Sequence, residues 1–226
     1  MDVGLLTFKD TRQKEARTLS ILSKELRRQK PKFHYRLRHT LGRHKKRNFD
    51  VCVKDLPVDC RILEIGVAEG ASADWWLSNV VGSGGTYIGV DPFTDWKRKK
   101  IKGSEVLQVA NTVLDWHRKA VADRKIWLYQ QRSDVALSRI RQDTDETFDL
   151  IYVDGAHDKL SVVQDMVLSW PLLSVGGIWL FDDYGARNPQ VKPAYDAAIG
   201  LFGDSVQEMF KNSQVGLKKV EAGFPC

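Results

Sequence analysis

Three carboxylates and one histidine directly follow two apolar stretches of this sequence. FDLIYVDGAHD ends its apolar run at Asp154 and reaches His157 three residues later, and GGIWLFDDY ends at Asp182 and Asp183. A carboxylate beside a buried stretch is costly unless it is paired, hydrogen-bonded or bound to a metal. If the two stretches are neighbouring strands, the three carboxylates meet at one edge, where like charges repel unless a cation is present.

This combination of residue types predicts a divalent metal site with a base beside it. Hard cations such as Mg²⁺ take carboxylate oxygens and keep positions for water or substrate oxygens, so Asp154, Asp182 and Asp183 are the predicted ligands. His157 is the candidate general base because an imidazole titrates near neutral pH. The alternatives are that one of the paired aspartates caps a helix, that Asp154 bonds local backbone and that His157 is structural. Asp158 is expected to cap the following helix.

A glycine-containing turn follows another apolar run. RILEIGVAEGAS places Glu64 near the end of that run, followed by Gly66, Gly70 and Ser72. Glycines at a strand-to-helix turn let the backbone approach a ligand closely. The dinucleotide fingerprint G-x-G-x-x-G is incomplete, since its middle glycine is missing and Glu69 would stand near the phosphates. Both points argue against a nicotinamide dinucleotide, and the acidic residue before the glycines suits a ligand with a cationic amino group.

Two further residues extend the predicted ligand site. TYIGVDPF ends a second apolar run at Asp91, and a carboxylate there is the usual partner of ribose hydroxyls. KIWLYQQRSD ends near Ser133, whose hydroxyl is expected beside an adenine or, alternatively, at the N-cap of a helix that starts at Asp134. These strand ends together point to an adenosine-containing ligand that is not a dinucleotide.

Five apolar runs of strand length alternate with helix-length segments from residue 61 onward. This alternation predicts a parallel sheet covered on both faces, which is a doubly wound, Rossmann-like α/β fold. Gly176-Gly177 is expected to turn the chain from a helix into the fifth strand, and a further helix is expected from Ala194 to Phe202. VQEMFK and VGLKKV, joined by Asn212-Ser213, are expected to form an antiparallel hairpin.

The basic residues are concentrated in the first 50 positions. Residues 1–50 hold 15 Lys and Arg against 5 Asp and Glu, whereas the other 176 residues hold 20 against 24. We therefore expect a basic helical N-terminal extension over 1–50, with a helix from Thr11 to Gln29, and a main domain over 51–226. The extension is expected to pack its leucines on the domain. The alternatives are a lid over a substrate cleft or a surface for anionic partners such as nucleic acid.

The composition excludes several classes of protein. No apolar run approaches the ~20 residues of a membrane span, and the N-terminus lacks the apolar stretch of a signal peptide. The three cysteines fit neither a disulfide framework nor zinc spacing; they are Cys52, Cys60 and Cys226. Reduced thiols in a cytoplasmic protein are expected.

In order and spacing, RILEIGVAEGAS, YIGVDPF, FDLIYVDGAHD and PLLSVGGIWLFDDY resemble the class I S-adenosylmethionine-dependent methyltransferases. They are most similar to the branch with a VDGxH motif and a strand ending in FDDY, which includes metal-dependent O-methyltransferases of natural-product sugars. The resemblance covers about residues 55–220 and implies a seven-stranded sheet with an antiparallel last strand. It also implies cofactor contacts from Gly66, Gly70, Ser72, Asp91 and Ser133 with Glu64 nearby, metal ligation by Asp154, Asp182 and Asp183, and His157 as the base.

The expected function is metal-assisted methyl transfer from S-adenosylmethionine to a hydroxyl of a small molecule or sugar, with Mg²⁺ or another divalent cation. One alternative is an RNA methyltransferase that holds phosphates with the basic N-terminal segment, although the acidic edge would repel a polyanion unless it is metal-loaded. A second alternative is a non-catalytic cofactor-binding protein on the same fold. A homo-oligomeric assembly stays open, and the acceptor is not identified by the sequence.

Overall fold

The computed structural model describes residues 42–95, 100–121, 123–185 and 188–221, which form a seven-stranded sheet flanked by helices. The strands are β1 Arg61–Ile65, β2 Thr86–Val90, β3 Lys125–Tyr129, β4 Phe148–Val153, β5 Leu173–Phe181, β6 Val206–Lys211 and β7 Val215–Lys219. The helices are α1 Arg43–Cys52, α2 Ala71–Asn79, α3 Gly103–Ala120, α4 Ser133–Asp143, α5 Lys159–Ser169 and α6 Val191–Ala198. The expected helix from Thr11 to Gln29 lies outside the described residues.

The strand order is β3-β2-β1-β4-β5-β7-β6. Strands β1 to β5 pair in parallel, and β7 pairs antiparallel with both β5 and β6. The predicted doubly wound, mostly parallel sheet with an antiparallel hairpin is thus confirmed. The strand order runs outward from β1 to β3 on one side and from β4 to β5 on the other, so it reverses between β1 and β4. Sheets of this kind bind ligands outside the carboxyl ends of the strands at such a point.

Apolar clusters cover both faces of the sheet, which explains why the strands read as continuous apolar runs. On β4, Ile151 packs into the cluster under α4, α5 and α6, whereas its neighbour Tyr152 packs into the cluster under α1, α2 and α3. Leu63 and Ile62 on β1 divide between the same two clusters. Each central strand is therefore buried on both sides, and polar groups become accessible only where the strands end.

Helix α1 joins the basic N-terminal segment to the domain. Phe49 is fully buried and stacks on Trp76 of α2, with 4.0 Å between ring centroids. The Asn48 amide donates hydrogen bonds to Asn212 Oδ1 at 3.0 Å and to Gln214 Oε1 at 2.9 Å. Helix α1 crosses residue 50, the expected boundary of the extension, and its packing holds it against both α2 and the turn between β6 and β7.

Gly176 and Gly177 lie inside β5, so the expectation that they lead from a helix into the strand is wrong. The helix ends at Ser169, and β5 already begins at Leu173 after a 3₁₀ turn. Between Leu173 and Ile178, β5 advances five residues while the paired β4 advances two. The glycines accommodate this bulge, with Gly176 at φ +81°.

The helix boundaries correct two other expectations. Helix α4 begins at Ser133 itself, and Arg132 stands at the N-cap, so the alternative that Ser133 caps a helix starting at Asp134 is wrong. The helix expected over Ala194–Phe202 begins earlier, at Val191, and passes into a 3₁₀ turn at Ile199–Leu201. The expected cap of α5 is confirmed, because the Asp158 carboxylate accepts a hydrogen bond from the Ser161 backbone N–H at 3.1 Å.

The described cysteines are reduced, as expected from the sequence. Cys52 and Cys60 are buried free thiols, and burial raises the pKa of each to about 12. Cys226 lies outside the described residues. Among the helices that the structure describes, none is long and apolar enough to cross a membrane.

Gly66 packs directly against the backbone of the segment after β4. It has φ +92°, and its N–H donates to Val90 O at 2.8 Å. A Cβ at this position would lie 2.0 Å from the carbonyl oxygen of Asp154. Both the backbone conformation and the space therefore require glycine.

We expect Gly66→Ala to lower the free energy of unfolding by at least about 2 kcal/mol more than Gly176→Ala. Both glycines have positive φ, but a Cβ at Gly176 would meet nothing within 4 Å, so that variant carries only the cost of the backbone conformation. Urea unfolding followed by circular dichroism measures both variants. Equal losses would contradict the close packing of the β1 turn on Asp154.

Candidate functional site

Glu64 is fully buried on β1, two residues before Gly66. The hydroxyls of Ser72 and Tyr87 donate hydrogen bonds to its two carboxyl oxygens, the second at 2.6 Å. Burial raises the pKa of Glu64 to about 8, although both hydrogen bonds act to lower it. Glu64 therefore holds a proton at neutral pH, and a cation placed beside it would favour its ionisation.

Asp91 fastens the glycine turn, which we define as Gly66–Gly70, to the segment after β2. The Ala68 N–H donates to Asp91 Oδ2 at 2.8 Å, and the Phe93 N–H donates to Asp91 Oδ1 at 2.7 Å. Each oxygen keeps a second acceptor position, and the side chain is partly exposed. The structure thus brings the predicted ribose partner against the predicted cofactor turn.

Ser133 completes the set of residues predicted to contact a cofactor. It is partly exposed at the first position of α4, and its hydroxyl faces the buried Asp165 of α5. Burial raises the pKa of Asp165 to about 7. The strand before Ser133 is tied to Asp91, whose N–H donates to Tyr129 O at 3.1 Å. The predicted cofactor residues therefore lie along the carboxyl ends of β1, β2 and β3.

The remaining predicted residues follow β4 and β5 and form what we call the acidic centre, namely Asp154, His157, Asp182 and Asp183. The Asp154 N–H donates to Ile65 O at 2.8 Å, and the Asp182 N–H donates to Val153 O at 2.9 Å. These bonds extend the pairing of β1, β4 and β5 beyond the strand ends. The carboxylates consequently stand side by side, next to the point where the strand order reverses.

Lys45 of α1 and Tyr152 of β4 contact both Asp154 and Asp182. Lys45 Nζ lies 3.1 Å from Asp154 Oδ2 and also forms an ion pair with Asp182 Oδ2. The Tyr152 hydroxyl lies 2.7 Å from Asp182 Oδ2 and 3.0 Å from Asp154 Oδ2. Burial and the nearby charge of Asp154 raise the pKa of Asp182 to about 7, while Lys45 opposes this rise. Burial alone would raise the pKa of Asp154, but the nearby His157 imidazole and the charge of Lys45 hold it below its usual value.

His157 lies between the carboxylates of Asp154 and Asp183. Its Nε2 is 3.0 Å from Asp183 Oδ2 and 3.7 Å from Asp154 Oδ1. The carboxylates of Asp154 and Asp183 raise the pKa of His157 to about 10, so the imidazole is charged at neutral pH in this arrangement. The Asn188 amide also donates to Asp183 Oδ2 at 2.6 Å. Asp183 itself has φ +55°, an uncommon conformation for a residue other than glycine.

The donor set suits a divalent cation on one side of the acidic centre. Among the residues that the structure describes, Asp154, His157 and Asp183 each offer a ligand atom, and these atoms lie within 4.8 Å of one another. Two carboxylate oxygens and an imidazole nitrogen are suitable ligands for Mg²⁺ or Mn²⁺. Of the three predicted ligands, Asp182 is not in this group, because its carboxylate faces Lys45, Tyr152 and the Asp183 N–H.

Sequence reasoning missed three residues that hold the acidic centre, namely Lys45, Tyr152 and Asn188. The contrast between a basic N-terminal segment and an acidic remainder could have suggested an ion pair between them, without indicating which lysine forms it. Tyr152 stands two residues before Asp154, so both side chains lie on the same face of β4. Asn188 follows β5 in a loop and carried no signal in the sequence.

A profile of a family described as "Methyltransferase domain" matches residues 63–184, more than half of the chain. An uncharacterized protein, R132, of Acanthamoeba polyphaga mimivirus is 30% identical over 144 residues. The match covers 62% of this chain and 60% of the viral protein. The chain therefore spans less than two thirds of the curated relative that it matches.

Solved structures with low sequence identity share the fold. CalS11, a TDP-rhamnose 3′-O-methyltransferase of calicheamicin biosynthesis, has a TM-score of 0.62 at 18% identity, covering 96% of this chain and 98% of its own. A putative rRNA methylase from Clostridium thermocellum has a TM-score of 0.59 at 14% identity, covering 80% and 100%. MycE of the mycinamycin pathway, in complex with Mg and SAH, has a TM-score of 0.54 at 19% identity, covering 92% and 56%.

We expect the His157 imidazole to titrate far above its usual pKa of 6.5, toward 10. Asp183→Asn should lower this midpoint by at least about one unit, since one of the two carboxylates that favour the charged ring is removed. Proton NMR of the imidazole across pH, assigned with His157→Gln, measures the midpoint.

The matched control for this titration is Asp158→Asn, which alters the neighbouring exposed cap of α5 and should leave the midpoint in place. A midpoint near 6.5 in the unaltered protein would contradict the arrangement of His157 between Asp154 and Asp183.

Proposed function

The chain belongs to the methyltransferase domain family, and we propose that it transfers the methyl group of S-adenosylmethionine to a hydroxyl of a small molecule. One observation carries the proposal. The glycine turn and the acidic centre touch, since a Cβ on Gly66 would lie 2.0 Å from the carbonyl oxygen of Asp154. A methyl donor at the turn and an acceptor at the acidic centre would therefore be neighbours, as direct transfer requires.

The residues along β1, β2 and β3 suit S-adenosylmethionine in the chemistry they offer. Glu64 supplies a buried carboxyl group that a cationic amino group would ionise, and Asp91 keeps acceptor positions for the two ribose hydroxyls. The glycine turn lets the backbone approach the methionine part, with Ser72 at the start of α2. Ser133 would lie by the adenine. When bound, S-adenosylmethionine supplies a methyl group on a sulfonium, which makes it reactive toward an oxygen nucleophile.

His157 is proposed to take the proton of the acceptor hydroxyl. Asp154 and Asp183 orient the imidazole, and their charges keep it protonated even though Lys45 also pairs with Asp154. Positive charge brought to these carboxylates would weaken their hold on the imidazolium and lower the pKa of His157. His157 could then accept a proton, because added positive charge balances the carboxylates of the acidic centre.

A divalent cation is the proposed source of that charge. The carboxylates of Asp154 and Asp183 have the oxygens to hold it beside His157, and the sequence predicts Asp182 as a further ligand on the same edge. A metal there would polarise the acceptor oxygen and lower its pKa. The proposal is supported by the fold shared with MycE, whose structure contains Mg.

The acceptor is proposed to bind beside α1. An open depression of about 460 Å³ is lined by Arg47, Asn48, Asn212 and Ser213. Its wall adjoins the acidic centre, because Ser213 O accepts a hydrogen bond from the Tyr184 N–H, one residue after Asp183. Amides, a hydroxyl and a guanidinium suit a polar acceptor such as a sugar derivative. In this proposal residues 51–226 form the catalytic domain, and the part of α1 before residue 51 covers its acceptor side.

An RNA acceptor is the second candidate. The exposed basic residues Arg43, Lys46 and Arg47 on α1 favour it, and so does the fold shared with a putative rRNA methylase. The acidic centre disfavours it, because three carboxylates beside the acceptor position would repel phosphates. A small uncharged hydroxyl compound avoids this repulsion.

Methyl-labelled S-adenosylmethionine, offered with a panel of hydroxyl compounds that includes sugar nucleotides, should transfer its label to an acceptor oxygen. We expect Asp154→Ala and His157→Ala to slow this transfer by at least about 100-fold. Asp115→Ala, which alters an exposed carboxylate on α3, should not. Label found on ribosomal RNA alone, or full activity in both site variants, would contradict the proposed function.

Cofactor binding should release close to one proton at pH 7. Glu64, with a pKa near 8, is protonated in the free protein, and the ammonium group of the cofactor would ionise it. Calorimetry in two buffers of different ionisation enthalpy counts the protons. Adenosine, which lacks the amino acid part, and Glu64→Gln should show no release. Equal release with adenosine would contradict the placement of the ammonium beside Glu64.

A further inference from the structure

Lys45 occupies the space between Asp154 and Asp182. Its Nζ contacts Oδ2 of both carboxylates, at 3.1 Å for Asp154. The Tyr152 hydroxyl approaches the same two oxygens. These oxygens are therefore engaged by one ammonium and one phenol, both supplied by the chain itself.

The other half of the acidic centre is organised around His157. Asp154 turns Oδ1 toward the imidazole, and Asp183 contributes Oδ2. Asp154 thus belongs to both halves, one oxygen facing Lys45 and the other facing His157. A divalent cation bound through Asp154 would stand close to the positive charge of Lys45, and like charges at such distances repel strongly in a partly buried site.

Lys45 can leave this position without disturbing α1. Its side chain is 34% exposed, so the ammonium has a path to solvent along a flexible four-carbon stem. The helix is held by other contacts, namely the burial of Phe49 against Trp76 and the amide bonds of Asn48. Movement of one side chain would expose the facing oxygens of Asp154 and Asp182.

We infer that Lys45 is the resident counter-cation of the acidic centre and that its ammonium and a divalent cation are alternative occupants. This inference rests on the proposed function only for the identity of the metal-binding carboxylates. When Lys45 occupies the centre, the affinity for a divalent cation is low, and the ammonium keeps the carboxylates of Asp154 and Asp182 in place. When a divalent cation binds, Lys45 turns outward, and Asp182 becomes free to join Asp154 and Asp183 as a ligand.

Mn²⁺ binding to the full chain, measured by calorimetry and by the loss of the free-ion paramagnetic resonance signal, tests the inference. Lys45→Met should bind Mn²⁺ at least about tenfold more tightly than the unaltered protein. Lys45→Arg keeps the charge, and Lys46→Met removes a neighbouring exposed charge on α1. Both should stay within about twofold of the unaltered protein. Equal affinity in Lys45→Met and Lys46→Met would overturn the inference.

Thermal unfolding provides a second test, which applies even if Lys45→Met is poorly folded. Removing the ammonium leaves two carboxylates facing each other, so we expect a lower midpoint without metal and a larger rise with Mn²⁺ than in the unaltered protein. A lowered midpoint that Mn²⁺ fails to raise would overturn the inference.

Binding of S-adenosylhomocysteine to the same samples distinguishes failure of the proposed function from failure of the inference about Lys45. If no variant binds it, the proposed function fails while the Mn²⁺ comparison still stands. If all variants bind it and Lys45→Met gains no Mn²⁺ affinity, only the inference fails.

Discussion

Three carboxylates at the ends of two neighbouring strands require positive charge among them to remain close together. Lys45 and His157 provide that charge in the structure, one bridging Asp154 and Asp182 and the other bridging Asp154 and Asp183. Neither residue lies on a strand, since Lys45 belongs to α1 and His157 to the loop after β4. The placement of that helix and that loop is therefore tied to the electrostatics of the strand ends as well as to packing.

The reversal of the strand order between β1 and β4 explains why two chemically different groups of residues are neighbours. Strand β1 lies between β2 and β4, so its glycine turn meets Asp91 on one side and Asp154 on the other. The absence of a side chain at Gly66 allows the second contact. A methyl donor held by Glu64 and Asp91 and an acceptor held at the acidic centre would then lie next to each other. Their mutual orientation can contribute much of the rate enhancement.

The elements and the strand ends could be predicted because buried parallel strands are continuous apolar runs, and the first polar residues after them must lie at the sheet edge. Lys45 could not be placed in this way. Its partner Asp154 is 109 residues away, and the contact exists because Phe49 docks α1 on α2. Likewise, the position of Gly176 within β5 depends on how that strand pairs with β4, which local sequence does not encode.

A crystal structure of the protein with S-adenosylhomocysteine tests the central claim most directly, namely that the glycine turn and the acidic centre form one methyl-transfer site. The account predicts the ammonium group beside Glu64, the ribose hydroxyls on Asp91 and the sulfur facing the acidic centre. A ligand whose sulfur faces away from Asp154 and His157, or one bound elsewhere on the protein, would contradict it.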